Sequence, residues 1–119
     1  MDLVIGGAYQ GKKRFAMERY ALSEEDCFEC QEDGVIDYSK RCICHLERYI
    51  LYLTRNHKKA EFAFRQDAVI ISDDISCGVV PIDPVLRAWR EETGRTLNRL
   101  AGASEHVIRL FCGIPEALK

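Results

Sequence analysis

Residues 3–15 read LVIGGAYQGKKRF. Leu3-Val4-Ile5 is a short apolar, mostly β-branched run, and Gly6-Gly7 end it. This reads as a buried parallel strand feeding a tight turn. The pattern G-x-x-x-x-G-K-[ST] is met at Gly6, Gly11 and Lys12, but Lys13 stands where Ser or Thr is usual. A helix is expected over 12–22, so the glycines sit between a strand and a helix N-terminus. Backbone N–H groups in such a turn converge on an anion, and the helix dipole adds positive charge there. Gly6, Gly7, Ala8, Tyr9, Gln10, Gly11, Lys12 and Lys13 are therefore the expected nucleotide-binding residues. Lys12 is expected to reach the terminal phosphates. Lys13 replaces a hydroxyl ligand of Mg²⁺, so metal binding is expected to be weakened rather than lost, because Mg²⁺ accepts water in place of a side chain.

Outward from this loop the chain alternates. VIDYS at 35–39 is a plausible second strand. Residues 40–56 carry Ile43, Leu46, Ile50 and Leu53 at helical spacing, ending near the basic RNHKK of 55–59. AEFAF at 60–64 is ambiguous between a short helix and an edge strand. DAVIISDD at 67–74 is the strongest strand signal. The loop 76–84 leads to Asp83-Pro84, an N-cap followed by proline at the first helical position. The helix then runs to about 102, with Gly94 inside it, where a close contact is expected. HVIRLFCG at 106–113 is the last of four strands. The expected fold is α/β, a three-layer sandwich with a mainly parallel sheet, P-loop NTPase-like and reduced in size, forming a single domain over 1–119.

In open α/β sheets ligands sit beyond the carboxyl ends of the strands. Asp37 and the Asp73-Asp74 pair end predicted strands, so Asp37 and Asp74 join Lys12 as candidate catalytic residues. Asp37, Asp73 and Asp74 are candidate Mg²⁺ ligands.

Composition narrows the partners. A net charge of −2 gives no electrostatic case for nucleic acid. No apolar run approaches the roughly 18 residues of a membrane span. The first residues, MDLVIGG, carry no basic leader pattern, so a cytoplasmic location is expected. Six cysteines in such a chain read as free thiols first. Cys27-x-x-Cys30 with Cys42-x-Cys44-His45 is a weaker zinc pattern, because residues two apart on the expected helix point to different sides. His45 reads as an ordinary helix-surface residue, and Trp89 as core.

GGAYQGKKRFA resembles the N-terminal loop of the adenosylcobinamide kinase / adenosylcobinamide-phosphate guanylyltransferase family, written GGARSGKSRxA. The stretch from Asp73 to Ile114 is similar to that family's C-terminal half. There Asn-Glu-Val-Gly-x-Gly-(Ile/Val)-Val-Pro precedes a helix with Gly-Arg-x-Asn-Gln-x-Leu-Ala and a strand ending Ser-Gly-Ile. Gly78, Val80, Pro81, Gly94, Arg95, Leu100, Ala101, Gly113 and Ile114 match. The resemblance implies ATP or GTP and Mg²⁺ as cofactors, a corrinoid substrate, a homo-oligomer, and phosphorylation of the adenosylcobinamide hydroxyl. The segment that carries the family's guanylylated histidine is missing, so the kinase step is expected without guanylyl transfer. The alternative is a catalytically degenerate nucleotide- or corrinoid-binding module acting with a partner subunit.

Overall fold

The computed structural model describes residues 1–8, 10–75 and 80–119. In chain order the elements are β1 (Asp2–Gly6), α1 (Lys12–Arg19), a 3-10 turn (Glu24–Asp26), β2 (Cys27–Glu29), β3 (Cys42–Cys44), α2 (Leu46–Arg55), β4 (Val69–Asp73), α3 (Pro84–Ala103), β5 (His106–Phe111) and β6 (Ile114–Ala117). One six-stranded sheet runs in the order β2-β3-β4-β1-β5-β6. All neighbours are parallel except β5 and β6. The fold is α/β with a mainly parallel sheet, as the alternation of apolar runs and helical spacing requires.

Burial on both faces explains why β1 and β4 are continuous apolar runs. Leu3 and Val4 are adjacent, face opposite ways, and are both fully buried. Val4, Val69, Ile71 and Leu110 pack with Ala16 of α1. Leu3, Ile70 and Val107 pack with Leu46 and Ile50 of α2 and Leu97 and Leu100 of α3. Helix α1 thus covers one face and α2 and α3 the other, which makes three layers. Asp83 caps α3 as expected, its Oδ1 accepting from the backbone N–H of Val85 at 2.8 Å and of Leu86 at 3.3 Å.

Several local expectations are corrected. Residues 35–39 form no strand, because Gly34 takes φ +70° and Asp37 accepts from the N–H and hydroxyl of Ser39, a side-chain-closed turn. The strands at that edge are instead Cys27–Glu29 and Cys42–Cys44. The helix expected from residue 40 starts only at Leu46, since Ile43 lies on β3 while sharing the spacing of the α2 stripe. Helix α1 stops at Arg19, and the N–H of Leu22 turns back to the carbonyl of Met17. AEFAF is neither helix nor strand. Its Phe62 and Phe64 stack at 4.9 Å and meet Tyr49 and Tyr38. Among the described residues no atom lies within 4 Å of where a Gly94 Cβ would stand. Strand β6 was not anticipated. It follows a two-residue turn in which Cys112 and Gly113 both take positive φ, the geometry that suits tight hairpins.

Candidate functional site

The connections leaving β1 and β4 go to opposite faces, α1 to one and α3 to the other. Their carboxyl ends therefore border the crevice where an open α/β sheet takes ligands. The glycine loop occupies this crevice. Gly6 is required by packing: a Cβ there would stand 2.6 Å from the carbonyl oxygen of Leu110 on β5. Gly11, at φ +76°, is the residue from which α1 starts. Gln10 is tied across the loop, its Oε1 accepting from the N–H of Cys112 at 2.5 Å. Ala8 is exposed, and Tyr9 lies outside the described residues, as does Gly78 of the later loop.

Lys12 is buried, and its Nζ donates to the carbonyl of Gly7 at 2.7 Å. It also pairs with Asp73 Oδ1 at 2.7 Å. A charge in that position is held by its partner, and removing the carboxylate would leave a buried ammonium uncompensated. Lys13 turns away from the loop to Glu24 at 3.0 Å and Glu29 at 2.9 Å. Those two carboxylates hold its ammonium well above the usual lysine range. The position that would ordinarily offer a hydroxyl to a metal thus offers a fixed charge on the β2 side.

The three aspartates separate. Asp73 faces the loop. Asp74 is the next residue along the chain, and its side chain lines a cleft on the other face with Leu3, Gly94 and Leu97. Asp37 lies in the turn that enters β3, at the amino edge of the sheet near Arg65 and Asp67. The structure brings Lys12 and Asp73 together with the loop; Asp74 reaches it through its backbone, its N–H donating to the Gly6 carbonyl at 2.8 Å, while Asp37 lies away from it. Ser39's hydroxyl and N–H hold the Asp37 carboxyl below its ordinary value.

Sequence reasoning missed two members of the crevice. His45 follows β3 and precedes α2 in the left-handed region, φ 56°, ψ 47°. This backbone costs energy in a non-glycine residue. His45 Nδ1 lies 2.9 Å from Oε1 of Glu47. Glu47 is buried, and its Oε2 accepts from the N–H of Asp73 at 3.1 Å and the hydroxyl of Ser72 at 3.4 Å. Trp89 Nε1 donates to the Glu47 carbonyl at 2.7 Å. A buried carboxylate thus joins α2, β4 and the histidine. No spacing in HLER announces this, because the left-handed turn at His45 is set by the meeting of β3 and α2.

The resulting cleft, ≈ 350 Å³, is lined by Lys12, Lys13, Arg14, His45, Arg48 and Asp73 among others. Its positive excess suits an anionic ligand. A larger groove of ≈ 520 Å³ lies between α2 and α3, but its walls are apolar at Ile50, Leu53 and Ala88, away from the strand ends. Fold and crevice define an α/β protein with a glycine-rich strand-to-helix loop at the carboxyl edge of a parallel sheet. The sequence model of CobU, cobinamide kinase / cobinamide phosphate guanyltransferase, matches residues 35–118, and the chain belongs to this family. Membership supports a role in cobalamin biosynthesis and nucleotide-related transferase chemistry. The matched stretch begins after the glycine loop, so the reading of that loop rests on its geometry. No individual curated protein matches the chain. Among the described residues no helix is long and apolar enough to cross a membrane.

Proposed function

We propose that the chain is a nucleotide-dependent kinase that phosphorylates the hydroxyl of a cobinamide-type corrinoid, without the guanylyl-transfer step. The Lys12–Asp73 pair, at 2.7 Å beneath the glycine loop, carries this reading. An incoming triphosphate exchanges Asp73 for its own anionic oxygens on Lys12. The N–H groups of Gly11 and Lys12, where α1 begins, complete the cradle. The hydroxyl oxygen of the acceptor attacks the γ-phosphorus, and the bond to the β-phosphate oxygen breaks. In this reading His45 takes the hydroxyl proton on Nε2, which lies 3.7 Å from Glu29 Oε2, while Nδ1 carries a proton towards Glu47 Oε1 at 2.9 Å.

The donor set fits Mg²⁺ in part. Asp73 supplies a carboxylate at the right strand end, and Lys13 supplies no hydroxyl. Mg²⁺ would be held by Asp73, waters and the nucleotide, and would neutralise charge on the phosphates. Assembly as a homo-oligomer and a preference for ATP or GTP belong to the same proposal.

Melting of the protein with ATP and GTP, with and without Mg²⁺, tests the binding step. A nucleotide at 100 times its Kd stabilises by about 2.7 kcal/mol, and Lys12→Ala should abolish the shift. Transfer of labelled γ-phosphate to cobinamide tests the chemistry, and Lys13→Thr should raise it in Mg²⁺. The pairing of Lys13 with Glu24 and Glu29 favours a second reading, a binding module without catalysis. A nucleotide shift with no transfer in either protein would establish that reading. No shift with either nucleotide would overturn both.

A further inference from the structure

The helix expected over 40–56 would turn Cys42 and Cys44 to different sides. Instead β2 and β3 pair in parallel with Cys27 opposite Cys42, and Cys44 lies two residues on, on the same face of its strand. All three sulfurs fall within 4.8 Å of one another. Cys42 and Cys44 are buried and their sulfurs are 3.6 Å apart. Cys27 is half-buried, which leaves a way in. Cys30, the other half of the sequence pattern, packs into the core on the opposite face.

We propose that these three thiols form a binding site for a thiophilic cation of the zinc class, with water in the fourth position. Zinc–thiolate bonds of about 2.3 Å in a tetrahedral arrangement set sulfurs about 3.8 Å apart, close to the spacing found here. Soft thiolate ligands select such cations over Mg²⁺. Each thiol gives its proton to solvent as the metal binds. Three thiolates around a divalent ion leave a single negative charge on the site. The ion would tie together the two shortest strands, β2 and β3, three residues each. The site is independent of the kinase reading.

The test titrates the reduced, chelator-stripped protein with Cd²⁺ and follows the sulfur-to-metal charge-transfer band, with Zn²⁺ then added in competition. The expected result is saturation at one equivalent, displacement by Zn²⁺, and a melting temperature that falls on chelation. Cys27→Ser, at the half-buried position, should keep the fold, lose about a third of the band and weaken binding on the order of 100-fold. Cys30→Ser and Cys112→Ser should bind as the parent does. No saturable band, unchanged affinity in Cys27→Ser, or loss of binding in Cys112→Ser would overturn the proposal.

Discussion

Single atoms decide what the glycine loop tolerates. At Gly6 an added methyl meets a backbone carbonyl, that of Leu110, which has no freedom to rotate away. Gly6→Ala should therefore destabilise by about 1–3 kcal/mol, read from the urea midpoint. Gly7 provides the contrast. Its nearest neighbour to an added Cβ is the flexible side chain of Gln10, at 3.8 Å. Gly7→Ala should leave the midpoint within about 0.5 kcal/mol, so any change in anion binding by that variant reports on the cradle itself. Asp73 and Asp74 make the same point for chemistry. Adjacent in the chain, they line different clefts, and Asp73 pairs with Lys12.

Elements differ in how far they stand alone. Helix α3 carries its own start signal, Asp83 with Pro84, and the cap bonds form as the sequence dictates. Asp83→Ala should cost about 1 kcal/mol, visible as a lower urea midpoint with unchanged helical signal before the transition. Strands β2 and β3 carry no such signal. Three residues bring too few side chains to establish a period, and cysteines pass for neutral residues although they pack as small hydrophobes. Their pairing depends on β4, whose Val69 and Ile70 lie opposite Cys42 and Ile43. Helix α2 was legible only from Leu46 onward for the same reason.

Across the whole molecule, the amino edge of the sheet is closed by Asp2, Tyr20 and His106, which join β1, the end of α1 and β5. The Tyr20 hydroxyl donates to Asp2 Oδ2 at 2.6 Å, and His106 Nδ1 lies 3.2 Å from Oδ1. Burial works to raise the Asp2 pKa, but Tyr20 and His106 outweigh it and hold the carboxyl below its ordinary value. Burial, then the bond to Asp2, pushes Tyr20 up to about 12 from 10.0. The Asp2 contribution is present above the unfolded carboxyl value and is lost as pH falls through the lower folded one. The Tyr20 contribution is complete below pH 10 and is lost as pH rises towards 12. In Tyr20→Phe the stability gap to the parent should stay constant between about pH 6 and 9 and narrow above pH 10. Equilibrium unfolding across this range measures it, and a gap unchanged at pH 11 would contradict the assignment.

Local pattern was sufficient for β1, β4, β5, the glycine turn and the cap of α3, because each is specified by neighbours in sequence: an apolar run, a glycine pair, a capping carboxylate. Everything that depends on which residues meet across the chain was decided by the tertiary structure. The turn at Asp37 carried that residue to the wrong edge of the sheet, the parity of β4 separated Asp73 from Asp74, and the junction of β3 with α2 turned His45 into the crevice. The pairing of two three-residue strands gathered thiols fifteen residues apart. A strand's facing is fixed by register with its partners, and a short strand exists only once those partners are in place.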